Sequence, residues 1–417
     1  MRILRLTRAV EERLLAARMV HDAGAERVAA RIVADVRRRG DAALFEWTKK
    51  LDKIALTDRT IWISQKEIRA AERNVSADFL RAIRQAAGNI RRVAEQQLPR
   101  SWSIEVEPGV RIRQRVVPIE SIGCYVPGGR SSLVSTLLMT VVPAQVAGVA
   151  RIIAVCPRPN NELLAVANLL GAVKIAPLGG AQAIAALAYG TKSVPRVEKI
   201  FGPGNKYVTA AKQMVSADCA IDLPAGPTEA IVLAERGNAA WIAADLLAQA
   251  EHAPDAGSFL VTTSWNLANR VVGEVAKQLS IFSATNAAHR SIKTAGAILV
   301  ADSLRAACEF VNRFAPEHLS LPSGSGSLLK RIQSSGTIFL GPWGAQPLGD
   351  YISGSNHVLP TAGWARRRGG LSAADFVKCI SLQDISRSGF RRLADGAEVL
   401  ASAESLEAHR NAVRIRR

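Results

Sequence analysis

The sequence predicts an α/β protein with two parallel-sheet domains, N-terminal helices and a small helical C-terminal appendage. Three observations lead there. From about residue 122, short apolar runs alternate with segments of helical periodicity, the pattern of parallel strands covered on both faces. The first hundred residues carry amphipathic helical repeats instead. Beyond residue 371 the chain is short, helical and charged, too small for a core of its own.

Residues 8–39 read as helix: Val10, Leu14, Leu15, Met19 and Val20, then Val28, Ile32 and Val36, recur at helical spacing, and Gly40 stops the pattern. A second amphipathic helix is expected over 76–95. Residues 102–126 alternate as strands through Ile104, Val106, Val110, Ile112 and Val116. Strands are then expected at 122–126, 151–156, 173–177, 197–201 and 220–223, with helices at 134–148, 161–170, 181–188 and 206–215. A second series follows, with strands at 230–233, 259–262, 298–300 and 337–340 and helices near 239–252, 266–279 and 303–314. The expected organisation is an N-terminal part of the first α/β domain over 1–122, its sheet over 123–223, a second α/β part over 224–370 and the appendage over 371–417.

Composition excludes several classes. Of 417 residues, 48% are hydrophobic and 22% charged, so long disorder and coiled coil do not fit. The most apolar stretch, 133–149, is broken by Ser135, Thr136, Thr140, Pro143 and Gln145, well short of the ~18 apolar residues a membrane helix needs. Met1 to Arg5 enters a charged amphipathic segment rather than an apolar leader core, so a cytoplasmic protein is expected. Five scattered cysteines (Cys124, Cys156, Cys219, Cys308 and Cys379) form no C-x-x-C pair and argue against a disulfide framework. The net charge of +18 invites a nucleic-acid reading. The basic residues, however, spread over the whole chain in short clusters, and aromatics are only 5%, too few for stacking platforms. Attraction of small anions fits better.

The G-x-G-x-x-G fingerprint is absent. Three glycine loops follow strands instead: Pro127-Gly128-Gly129, Gly179-Gly180-Ala181-Gln182 and Gly202-Pro203-Gly204-Asn205. Ligands of open parallel sheets bind at such loops, although each alone also reads as a tight turn. Gln249 and His252, three apart near a helix end, can face one metal, or His252 can simply complement the helix dipole. Glu317-His318 follows Ala315-Pro316; the two side chains project differently and can act as two bases around one pocket, or as surface and capping residues. Asp350 and His357 lie in a glycine-rich stretch, 349–363, and Asp350 is a hard oxygen donor. His409 sits near the C-terminus, five residues after Glu404. The chain has only six histidines, and four of them (His252, His318, His357 and His409) fall in these contexts.

Taken together, the runs resemble the bacterial L-histidinol dehydrogenase family. They include Tyr125-Val126-Pro127-Gly128-Gly129, Gly179-Gly180-Ala181-Gln182, Gly202-Pro203-Gly204-Asn205-Lys206-Tyr207-Val208 and Pro224-Ala225-Gly226-Pro227-Thr228-Glu229. They continue with Asp245 to His252, Ala315-Pro316-Glu317-His318-Leu319, Gly349-Asp350-Tyr351, Asn356-His357-Val358-Leu359-Pro360-Thr361 and the tail through Glu404 and His409, in family order. The resemblance implies two Rossmann-like domains, the first of them NAD-binding, and a zinc-dependent homodimer in the cytoplasm. The implied activity oxidises L-histidinol through histidinaldehyde to L-histidine, the end of histidine biosynthesis, while reducing two NAD. Carried over residue by residue, it implies zinc ligands at Gln249, His252, Asp350 and His409, one zinc per subunit, with His409 and Glu404 supplied across the dimer interface. Glu317 and His318 match the catalytic bases, and Tyr125, Gln182 and Asn205 the NAD contacts. Thr228, His357 and Glu404 match substrate-pocket positions, alongside His318 and the four metal positions. Thr228 stands where the family usually has serine, and the loop 130–136 lacks a proline common in relatives. Two competing readings are the same scaffold oxidising another small alcohol, and a basic nucleic-acid-binding α/β protein.

Overall fold

The computed structural model describes residues 1–18, 22–128, 132–171, 173–223, 226–323 and 326–417. Met19, Val20, Gly129, Arg130, Ser131, Pro224 and Ala225, which the sequence reading used, lie outside the described residues. The strands in chain order are β1 (Arg2–Arg5), β2 (Trp102–Glu107), β3 (Val110–Pro118), β4 (Ser121–Tyr125) and β5 (Arg151–Val155). Next come β6 (Val173–Ala176), β7 (Lys199–Phe201), β8 (Ala220–Ile221), β9 (Glu229–Leu233) and β10 (Gly257–Thr262). The last four are β11 (Gly296–Val300), β12 (His318–Leu321), β13 (Thr337–Leu340) and β14 (Val377–Ile385).

Two all-parallel sheets form the body. One has the order β6-β5-β4-β7-β8, the other β1-β11-β10-β9-β12-β13. In both, the chain steps outward through two neighbours and then returns beside its first strand, so the order reverses between β4 and β7 and again between β9 and β12. The expected parallel α/β architecture is therefore present twice. Its strands are apolar because helices cover both faces: β4, β9, β10 and β11 are buried at every position. Four apolar clusters fill the layers, two on the faces of each sheet.

The structure differs from the sequence expectation in three places that matter. β1 pairs in parallel with β11, so the N-terminal strand belongs to the second sheet rather than to the first domain. The segment after 371 contains a nine-residue strand, β14, which joins β2 and β3 in a small antiparallel sheet before helices Arg387–Ala403 and Glu407–Arg414. Its apolar and polar residues are exposed alike, and that absence of a buried stripe hid it. Third, β12 was not expected; its four residues fit the gap between β9 and β13 and carry His318. The predicted helix over 8–39 is two helices, Arg8–Ala16 and Ala23–Arg39, the second capped by Asp22 and ended at Gly40 as expected.

Candidate functional site

The carboxyl ends of β4, β6 and β7 carry the three glycine loops. At Gly202 the backbone has φ +111°, and a Cβ there would lie 2.1 Å from the carbonyl oxygen of Tyr125, so only glycine fits the close approach of the two strands. Beneath this turn lies a buried ion pair of Lys212 and Asp222. Lys212 Nζ donates to the Gly202 carbonyl at 2.8 Å, and Asp222 Oδ2 accepts from the Gly202 N–H at 2.7 Å, so the peptides on both sides of Gly202 are held. Asn205 then caps helix Lys206–Val215, its Oδ1 accepting from the N–H groups of Tyr207 and Val208. Tyr125 is buried, its hydroxyl pushed up to about 12 by burial, and its oxygen accepts from Gly180 N–H at 3.2 Å. Gln182 is fully buried and donates from Nε2 to Asp52 at 2.9 Å, while its Oε1 has no partner. Tyr125 and Gln182 thus stand around one glycine turn. Asn205 occupies a separate turn at the β4–β7 reversal.

The second cluster stands at the other end of its sheet. Thr228 and Glu317 immediately precede β9 and β12, so they sit at the amino ends of two paired strands, where His318 faces Ala230 in register. Ala315, with φ +49°, ends helix Leu304–Phe314 and turns the chain into this approach. Four side chains form a continuous line of hydrogen bonds. Gln346 Nε2 donates to Gln249 Oε1 at 2.7 Å, Gln249 Nε2 to Thr228 Oγ1 at 2.9 Å, and Thr228 Oγ1 to Glu317 Oε2 at 2.5 Å. The Glu229 N–H adds a second bond to Glu317 Oε2 at 3.0 Å. The Glu229 side chain is paired with Arg18, whose guanidinium also stacks 3.7 Å over the Phe314 ring.

His318 lies beside this line. Its Nδ1 is 3.8 Å from Glu317 Oε2 and its Nε2 3.4 Å from Asp350 Oδ1, and neither nitrogen has a hydrogen-bond partner. Asp350 falls in the short helix Gln346–Tyr351 rather than in a loop. The following segment docks on the first sheet's helices: Asn89 Nδ2 donates to the Ile352 carbonyl at 2.7 Å, and Asn356 Nδ2 to that of Met139 at 2.7 Å. His357 spans the same junction, with Nδ1 2.8 Å from the Asp350 carbonyl oxygen and Nε2 3.4 Å from Thr136 Oγ1. His252 lies in the turn just past helix Ala239–Ala250, its N–H 3.4 Å from the Gln249 carbonyl oxygen. It acts electrostatically on Glu317, Asp350 and His357.

Burial sets the charges. It pushes the Glu317 carboxyl above the usual range, against the pull of His318, Thr228 and the Glu229 N–H. Burial opposes a charge on His318, but Glu317 and Asp350 outweigh it and leave its pKa raised. Burial likewise opposes ionisation of Asp350, but His318 outweighs it and leaves the pKa lowered. Burial lowers the pKa of His357.

One imidazole, one carboxylate and one amide oxygen at the mouth of this cluster make a nitrogen–oxygen donor set of the kind that binds zinc. Among the described residues no three His, Cys, Asp or Glu side chains gather as a metal site. Glu404 and His409 stay apart from the cluster. Both are exposed, on or beside the terminal helices, and among the described residues neither side chain makes a hydrogen bond or ion pair. The structure thus brings together Thr228, Gln249, Glu317, His318, Asp350 and His357, with His252 at the edge. Sequence reading missed Gln346, Arg18 and any role for Glu229. Only Glu229 carried a signal there, an acidic residue beginning an apolar strand.

The family model for histidinol dehydrogenase matches residues 16–417. A histidinol dehydrogenase of Methanosarcina mazei is 46% identical over 394 residues, covering 92% of this chain and 90% of that protein. One of Aquifex aeolicus is 44% identical, covering 93% and 91%. A crystal structure of histidinol dehydrogenase from Elizabethkingia anophelis superposes with a TM-score of 0.94 at 38% identity, over 100% of this chain and 98% of that one. With the match running over nearly the whole length in sequence and in fold, the chain belongs to the histidinol dehydrogenase family.

Proposed function

We propose that this enzyme oxidises L-histidinol to L-histidine through histidinaldehyde, in histidine biosynthesis, with zinc and two NAD. The observation that supports this most is the pair Glu317 and His318: two adjacent buried bases, Glu317 anchored by hydrogen bonds and His318 standing between the carboxylates of Glu317 and Asp350. His318, with both ring nitrogens unpartnered, is placed to take the hydroxyl proton of the alcohol as the hydride leaves. Glu317, held by Thr228 and the Glu229 N–H, keeps its second oxygen for the water that must hydrate the aldehyde before a second oxidation. Its raised pKa makes it a better proton acceptor than an exposed carboxylate.

Gln249, His252 and Asp350, completed by His409 of a partner subunit, would hold zinc. Tyr125, Gln182 and Asn205 would line the NAD site within residues 123–223, and Thr228, His357 and Glu404 would complete the substrate pocket. When bound, zinc supplies a template for the substrate's nitrogen atoms and NAD the hydride acceptor. Line by line the chain's residues bind, orient and move protons: Gln346 and Thr228 fix both ends of the Gln249 amide, so its oxygen has one orientation.

A homodimer is supported by the tail. Trp102, Ile104 and Val106 on β2, Leu382 and Ile385 on β14, and Val399 and Leu400 on helix Arg387–Ala403 are exposed apolar residues on one appendage. Co-expressed H318N and H409Q, each inactive alone, should regain about a quarter of wild-type activity, because random pairing rebuilds that share of shared sites. No recovery would place His409 in its own subunit's site or outside catalysis. Among the described residues no helix is long and apolar enough to cross a membrane.

The reaction is tested by NADH formed per L-histidinol consumed, with zinc-reconstituted protein and excess NAD. Two per substrate is expected. One would mean that the aldehyde escapes and the role given to Glu317 fails, and none would send the scaffold to another alcohol.

A further inference from the structure

We infer that Asp52 is a positioning residue of the cofactor subsite, fixing the side-chain amide of Gln182 at the glycine turn that opens helix Gly180–Tyr189. The inference rests on the reading of Gln182 as a NAD contact. Asp52 is the last residue of helix Asp41–Asp52, on a different element from the side chain it serves.

The geometry is specific. Gln182 Nε2 donates to Asp52 Oδ2 at 2.9 Å. Helix Gly180–Tyr189 has no side-chain cap, since glycine occupies that position. A Cβ on Gly179 would lie 2.8 Å from Pro157 and 3.2 Å from Asp52 Oδ1, so the carboxylate rests directly against the turn.

A glutamine amide has a donor end and an acceptor end of nearly the same shape, and only its partners decide which way it points. Asp52 accepts but cannot donate when ionised, so it holds the Nε2 end and turns Oε1 the other way. That oxygen is buried and has no partner in the chain, an acceptor left for something else. Without Asp52 the amide is free to flip and present a donor instead.

The position is poor for stability. An acid in the last turn of a helix faces the negative end of the dipole. Asp52 is half-buried and burial raises its pKa. The nearby Arg158 donates to the Asp52 backbone carbonyl at 2.9 Å rather than to its carboxylate. Against these costs stands the hydrogen bond from Gln182, the contact that an acid at this position serves.

The test uses the zinc-loaded enzyme in four forms: wild type, D52A, Q182A and D52A/Q182A. Steady-state KM values for NAD and L-histidinol, and Tm, are read for each. D52A should raise the KM for NAD about tenfold, the loss of roughly one hydrogen bond's worth of orientation, with the KM for L-histidinol and kcat near wild type. The double variant should lie within about twofold of Q182A, because Asp52 acts through Gln182. D52N keeps one acceptor of the two and should fall between D52A and wild type. Additive effects, or a wild-type KM for NAD in D52A when Q182A is impaired, would overturn the inference alone. A wild-type KM for NAD in Q182A would overturn the cofactor reading of Gln182 and this inference with it.

Discussion

The two parallel sheets repeat one strand order, yet their candidate sites stand at opposite ends of the strands. In the five-stranded sheet the glycine loops follow β4, β6 and β7, at the carboxyl ends and beside the reversal, where open α/β sheets usually bind ligands. In the six-stranded sheet Thr228, Glu317 and His318 enter β9 and β12 at their amino ends. The first region is built from backbone: glycines, helix starts and the held peptides of Gly202. The second is built from side chains of five separated segments, joined by hydrogen bonds that run from Gln346 to Glu317. The carboxyl ends of one sheet therefore carry the glycine loops and the amino ends of the other a buried polar cluster, and His357, between Asp350 and Thr136, links the two regions.

The sharpest way to test this division is to remove the proton acceptor alone. E317Q keeps the volume and one oxygen for Thr228, and should lower turnover of L-histidinol about a thousandfold with NAD affinity unchanged, read by stopped-flow NADH formation and NAD titration. Turnover within tenfold of wild type would move the base elsewhere. On the opposite side, K212M leaves Asp222 buried without its partner and should cost about 3–5 kcal/mol of stability in urea unfolding, since an unpaired buried charge is the dominant penalty. Recovery of most of that loss in K212M/D222L would show that the pair organises the Gly202 turn rather than stabilising the fold.

Smaller effects sharpen the contrast further. Q346A frees the Gln249 oxygen and should weaken zinc about ten- to a hundredfold in chelator competition, with NAD affinity unaltered. An equal loss at both sites would mean that the two regions are not independent. The smallest change concerns Asp245, in the helix that carries Gln249, which burial pushes up to about 6 from its ordinary 3.8. A folded-state pKa above the unfolded value means that the ionised form is disfavoured by folding, so stability falls as pH rises between those values. D245N should therefore stabilise the protein by about 1–2 kcal/mol at pH 7.5 and leave it unchanged below pH 4, measured by chemical denaturation. Equal stabilisation at both pH values would assign the gain to packing instead.

What was legible in the sequence follows the same division. The glycine loops announce themselves because a close approach such as Gly202 against Tyr125 admits no other residue. The helices and buried strands announce themselves by periodicity. β12 did not, because four residues flanked by a proline and a turn give too short a pattern. β1 gave no sign of its neighbour, since pairing with β11 is decided by topology and not by composition. Family resemblance supplied roles for Glu317, His318 and Asp350 that spacing alone left open. Gln346, Arg18 and Asp52 carried no motif, because a residue that orients another through one hydrogen bond is fixed by where its partner lies in space.

The pairing of β1 with β11 also sets an order of assembly. Arg2 to Arg5 pair with a strand made roughly 300 residues after them, about 15–60 s later at ordinary synthesis rates. The five-stranded sheet, whose strands all fall between Ser121 and Ile221, can close during that interval. The opening segment must wait, with Ile3 and Leu4 uncovered, until β11 has been made. A fusion or tag that restrains the first residues would therefore interfere with a later stage of folding rather than the first.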